Sequence, residues 1–148
     1  MSDVVRTDTA PAPVGAYPHA RRVGTLLFLS GVGPRQPGTH VIPGNVHDAD
    51  GKLISYDIEQ QCRQVFANVR AVLEASGARW EYLVDVTVFL TDMTRDFPIY
   101  NRLYDEHFKG VDACRTTLGI TALPTPIAIE LKCIAVVRDG ENAGSSTA

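Results

Sequence analysis

The sequence predicts an α+β domain in which two amphipathic helices lie against one face of a β-sheet, and three observations carry that prediction. Apolar residues recur at helical spacing in two separate stretches. Runs of branched residues alternate at every second position around them, and clusters of Gly, Pro, Asn and Asp separate the stretches. A chain of 148 residues is long enough for one domain with a real core and short for two, and 45% hydrophobic with 21% charged residues is ordinary globular composition.

Each element can be read in turn. Residues 23–31 (VGTLLFLSG) are apolar, strand-compatible and end in glycine, so they form a strand or the second arm of a hairpin. Residues 32–55 hold Pro34, Pro37, Gly38, Pro43, Gly44, Asn45, Asp48, Asp50 and Gly51, the composition of a long loop with several turns. Long loops in compact domains are often functional. Asp57 followed by Gln60 opens a helix whose stripe is Ile58, Cys62, Val65, Phe66, Val69, Val72 and Leu73, closed by Ser76-Gly77. Val84, Val86, Val88 and Leu90 then alternate with Asp85, Thr87 and Phe89 as a strand. A second helix is expected from about Asp96, capped by that carboxylate, with Phe97, Tyr100, Leu103, Tyr104 and Phe108 as its core stripe and Gly110 as its end.

The last region predicts a strand over residues 115–120, a turn at Leu123-Pro124-Thr125-Pro126, and a strand from 127 to about 137. In that final strand Ile129, Leu131, Cys133 and Ala135 share one face and Glu130, Lys132, Ile134 and Val136 the other. With the helices on the first face, Glu130 lies on the opposite one. The branched residues beside it require cover, which a further subunit is expected to give. Residues 139–148 offer little to bury and are expected to be disordered.

Composition excludes several classes. A net charge of -3 with scattered Lys and Arg gives no electrostatic footprint for nucleic acid. The N-terminus lacks the apolar core of a signal peptide and no run approaches a membrane span, so the chain is expected to be cytoplasmic. Cys62, Cys114 and Cys133 have no C-x-x-C spacing and are expected to be reduced. His19, His40, His47 and His107 form no ligand motif, so neither metal nor other cofactor is expected. Gly31-Val32-Gly33 lacks the third glycine of a dinucleotide fingerprint. His107 reads as a surface or interface residue.

What remains is an arginine and a glutamate in otherwise strand-like segments, Arg115 and Glu130. An arginine fork matches a carboxylate, and a glutamate can hold or deprotonate a water, which together suit a small-acid enzyme. The two charges could equally pair with each other across neighbouring strands as a structural ion pair.

Gly15-Ala16-Tyr17, Phe28-Leu29-Ser30-Gly31, Asn68, Val88-Phe89-Leu90-Thr91-Asp92-Met93, Tyr100-Asn101 with Tyr104, Arg115, Leu123-Pro124 and Glu130 stand in an order that resembles the RidA (YjgF/YER057c/UK114) family, over residues 15–137. The resemblance implies a chorismate-mutase-like domain with a mixed sheet and two helices on one face. It also implies a homotrimer with clefts between subunits and, in active branches, hydrolysis of 2-imino or 2-enamino acids to 2-oxo acids and ammonia. By the same resemblance Arg115 is the carboxylate-binding arginine, Glu130 the water-positioning glutamate, and Tyr17 and Ser30 line the cleft, with Gly31 beside them.

Three departures stand out. Val32 follows Ser30-Gly31 where many members have Gln, and Thr117 stands where many have a cleft cysteine; Cys114 should face the other side of its strand from Arg115. The loop 33–55 is longer than the family's usual connection. With Thr91-Asp92-Met93 and residues 123–128 it is similar to the 2-aminomuconate deaminases of this family, which implies a conjugated dicarboxylate substrate. Arg35 in that loop is the candidate for the distal carboxylate. A general RidA-type imine deaminase, a ribonuclease or translation inhibitor, and a non-catalytic ligand-binding or chaperone-like trimer are the alternatives.

Overall fold

The computed structural model describes residues 2–138, so the expectation for the 139–148 tail lies outside the described residues. The elements are β1 (Ser2–Val5), β2 (Ala20–Val23), β3 (Leu26–Leu29), β4 (Val46–His47), β5 (Leu53–Ser55), α1 (Ile58–Ala75), a 3-10 turn (Trp80–Tyr82), β6 (Leu83–Leu90), α2 (Met93–Phe108), β7 (Cys114–Gly119) and β8 (Ile129–Val136). Six strands make one mixed sheet in the order β1-β2-β3-β8-β6-β7, antiparallel except for β6 against β7. The parallel pair exists because α2 carries the chain back to the end where β6 began.

The apolar run at 23–31 resolves into the second arm of a hairpin: Val23 pairs with Leu26, and Gly24 takes φ +62, a conformation that suits glycine at a tight turn. β1 has no counterpart among the expected elements, since four residues are too short to display a period. The 32–55 segment is not loop throughout. Asp48 Oδ1 accepts from the Asp50 and Lys52 amides at 2.9 Å, and Gly51 at φ +82 closes a small β4–β5 hairpin.

α1 begins as its sequence dictates. Asp57 Oδ1 accepts from the Glu59 and Gln60 amides at 3.0 and 3.2 Å, a cap worth about 1 kcal/mol. It ends in a left-handed Gly77 (φ +74) whose amide reaches Glu74 O while that of Ala78 reaches Leu73 O. α2 differs from expectation. Its cap is Asp92, which accepts from the Arg95 amide at 3.0 Å, and the helix starts at Met93. Asp96 is instead fully buried, taking a 2.6 Å hydrogen bond from the Tyr56 hydroxyl. Either aspartate satisfies the cap pattern; the phenol of Tyr56, 40 residues away in sequence, draws the second one inward.

Both helices pack on one sheet face. Ile129, Leu131, Cys133 and Ala135 are fully buried beneath them, while Glu130, Lys132, Ile134 and Val136 alternate onto the other face. Register extends that open face as rows: Val4, Arg21, Phe28 and Ile134; Val23, Leu26 and Val136; Glu130, Phe89 and Leu118. Val4, Val23, Leu26, Phe28 and Leu118 on this face are 37–56% exposed, large apolar side chains of the kind that association covers.

Candidate active site

The residues 10–19, the exit of β3 and the loop before β8 enclose a cavity of about 100 Å³. Tyr17, Ser30, Gly31, Arg35 and Glu130 border it, among apolar walls that include Pro13, Val32 and Ile127. The segment 10–19 is held by hydrogen bonds around a buried histidine. The Thr7 amide donates to His19 Nδ1 (3.3 Å), which leaves Nε2 to carry the proton given to Pro11 O (2.9 Å). Ser30 Oγ donates to Pro18 O at 2.7 Å, and the Val14 amide donates to the Tyr17 hydroxyl at 3.1 Å, so both of these cleft candidates also fasten the wall. Arg35 donates from its guanidinium to Ala12 O, which leaves further N–H groups for a ligand.

The Glu130 carboxylate receives no hydrogen bond and no ion pair from any described residue. Burial alone pushes its carboxyl above the usual carboxylate range. Arg115 takes no part in that shift within one chain. The carboxylate lies against Gly31, where an added Cβ would sit 2.7 Å from Oε2 and 3.0 Å from Cδ. Glycine is therefore required for close approach rather than for an unusual φ. Gly31→Ala should move the carboxylate and slow turnover roughly tenfold. Thermal unfolding should move little, because only a flexible side-chain end must give way. A large fall in melting temperature with kcat unchanged would contradict this account.

Arg115 and Thr117 are elsewhere. β6 lies between β7 and β8, and Arg115 pairs with Val86 and Thr117 with Val88, both on the helix face. Arg115 and Glu130 thus occupy opposite faces of the sheet, and the simple ion pair between neighbouring strands does not form. The guanidinium lies 4.7 Å from the Tyr104 ring centroid and 5.5 Å from that of Tyr100, and donates to Asn101 Oδ1 at 2.8 Å. Thr117 Oγ1 is 3.1 Å from the Tyr100 hydroxyl. Cys114 is exposed, on the opposite side of β7 from Arg115, while burial raises the Cys62 and Cys133 thiols to about 12 and makes them inert.

The role of α2 in holding Arg115 was missed from sequence. By their spacing Tyr100 and Tyr104 are core residues, and they do join the core, being 0% and 9% exposed. They also form a platform under the arginine. Their i, i+4 spacing with Asn101 between them was the available signal. His107 is not a free surface residue: its Nδ1 donates to Leu103 O at 2.8 Å and its ring packs 4.9 Å from Phe66. Among the described residues no group of three His, Cys, Asp or Glu could hold a metal, and no helix is long and apolar enough to cross a membrane.

Residues 7–137 match the family described as Endoribonuclease L-PSP. A RutC family protein of Pyrococcus horikoshii is 36% identical over 91% of this chain and 98% of its own length. The chain belongs to the RidA family. Reactive Intermediate Deaminase A of Arabidopsis thaliana is 36% identical to this RidA-family chain, over 91% of it and 66% of the plant protein. A 2-iminobutanoate/2-iminopropanoate deaminase of Dermatophagoides farinae is 32% identical over 90% and 95%. The crystal structure of the E. coli YjgF gene product superposes with a TM-score of 0.77 at 31% identity, covering 92% of this chain and 99% of that one. The two helices and mixed sheet are the chorismate-mutase-like fold of RidA proteins.

Proposed function

We propose that this RidA-family protein is a 2-aminomuconate deaminase, hydrolysing the 2-enamine through its imine to the 2-oxo dicarboxylate and ammonia during breakdown of aromatic compounds. The observation that carries deaminase chemistry is the unpaired, half-buried Glu130 carboxylate facing a cavity. The deaminase names of the plant and mite relatives support the same class. Arg35 in that cavity is what favours a dicarboxylate over a short imino acid.

Tautomerisation places a C=N bond at C2, and its protonated form is electrophilic. Glu130 orients water and takes a proton as oxygen adds to C2. Glu130 passes that proton to the nitrogen, and as the C–N bond breaks and ammonia leaves, the freed carboxylate takes the hydroxyl proton, so the carbinolamine collapses to C=O. Arg115 grips the C1 carboxylate with two parallel N–H bonds, and Arg35 receives the C6 carboxylate. Since Arg115 and Thr117 sit on the helix face and Glu130 with Tyr17, Ser30 and Gly31 on the other side, the two halves meet only if they come from different chains. A homotrimer, with the apolar open faces covered and a cleft at each boundary, supplies that arrangement.

The reading as a general RidA-type imine deaminase uses the same residues of this chain but gives Arg35 no role. The nuclease description attached to the family is not favoured for a chain of net charge -3. Incubation with 2-aminomuconate, and separately with a generator of 2-iminopropionate or 2-iminobutyrate, while ammonia is followed, decides among the readings. Rapid release from 2-aminomuconate supports the proposal, release only from the short imines leaves the general enzyme, and release from neither leaves a binding or chaperone-like trimer.

A further inference from the structure

α1 carries two polar side chains that an amphipathic stripe does not need. Gln61 and Asn68 are two turns apart, on the face packed against the sheet, and are 0% and 1% exposed. A buried amide without partners costs about 1–3 kcal/mol, so what these two bind explains their presence. Asn68 Nδ2 donates to Gly33 O at 2.8 Å and to Arg35 O at 2.7 Å. Its Oδ1 accepts from Gln64 Nε2 at 3.0 Å, which fixes the orientation of the amide. Gln61 Oε1 accepts from the Ala128 amide at 2.8 Å, and its Nε2 donates to Asn45 Oδ1 at 3.0 Å. Asn45 Nδ2 in turn donates to Pro126 O at 2.8 Å.

Asn68 thus holds the wall at residues 33–35 directly, and Gln61 holds the facing wall at 124–127 through Ala128, which follows it, and through Asn45 on Pro126, yet neither Gln61 nor Asn68 borders the cavity. One helix face therefore grips both walls from behind. The Arg35 side chain is fastened at its tip by Ala12 O and at its backbone by Asn68, so the position of its charge depends on both ends. We infer that Asn68 is a positioning residue that holds Arg35 at the distance of a second carboxylate, with Gln61 and Asn45 fixing the facing wall. The inference rests on the reading of Arg35 as the receiver of that carboxylate.

The test measures kcat and KM of full-length Asn68→Ala, Arg35→Ala and the double variant on 2-aminomuconate and on 2-iminobutyrate. Displacement of a binding group by about 1 Å costs up to about 10²-fold. Asn68→Ala should therefore lower kcat/KM for the dicarboxylate by roughly tenfold or more, chiefly through KM, and by much less for the monocarboxylate. In the Arg35→Ala background the same change should add no further selective loss. Equal losses on both substrates would mean that Asn68 serves stability alone, and the inference would fall while the Arg35 reading stood. If Arg35→Ala leaves the substrate ratio unaltered, the distal-carboxylate reading falls. A selective loss from Asn68→Ala that persists in the Arg35→Ala background overturns the positioning route through Arg35. Asn68→Ser, which is small and still polar, carries the comparison if the alanine variant does not fold.

Discussion

Arg115→Ala lowers kcat/KM for imino acids roughly 10²-fold, and mixing that variant with Glu130→Gln brings activity back. The first part follows from the loss of two charge-assisted hydrogen bonds to the C1 carboxylate, together about 3 kcal/mol in a site open to water. Binding and turnover both suffer, because the carboxylate adjoins the reacting carbon. Folding should be spared, since the Arg115 side chain is exposed and its contacts with Tyr104 and Asn101 lie at the rim of α2. The second part follows from the opposite faces. A site that takes Arg115 from one chain and Glu130 from another is whole at about a quarter of the boundaries in a one-to-one random mixture of the two variants. Co-refolding followed by an ammonia assay measures it. Recovery no greater than the sum of the two single variants would mean that the two residues do not share a site at a boundary and would sink the shared-cleft proposal.

Glu130→Gln slows turnover by about 10²- to 10⁴-fold with substrate binding largely kept, because it removes the base and leaves the arginine anchors in place. Its pH behaviour distinguishes a base from a mere spacer. Burial raises the Glu130 carboxyl, so the protein's acidic limb of kcat should lie above the ordinary glutamate value near ~4.3, and the glutamine variant should lose that limb. The stability consequence has a definite sign. Between the unfolded and the raised folded pKa the native state binds more protons, so this group's contribution to stability falls as pH rises through that window. Glu130→Gln should accordingly unfold at higher temperature than the parent at neutral pH, with the gap closing below the unfolded pKa. An acidic limb unchanged in the glutamine variant would assign it to another group.

Much of this was legible because it is local. The cap at Asp57, the left-handed Gly77 and the alternation from Ile129 to Val136 are set by interactions within a few residues, and the structure has them where the pattern put them. The start of α2 was misplaced because Asp92 and Asp96 are equivalent to a local rule. Only the Tyr56 hydroxyl, brought up from beyond α1, separates them. β4 and β5 carry no sequence signal because they are two and three residues long, shorter than any period can reveal.

The sequence by itself determined the α+β class, the two helices, the face on which Glu130 stands and the identity of every charged group proposed to act, since periodicity and side-chain chemistry are carried by the residues themselves. Tertiary structure alone decided the strand order and the register, which set Arg115 beside Val86 and Glu130 beside Phe89 and so on opposite sides of the sheet. It also decided that Gly31 makes room for a carboxylate 99 positions later in the chain, and that Asn68 reaches the backbone of Arg35. Strand order and contacts at such separations depend on how the elements pack, which no local period encodes.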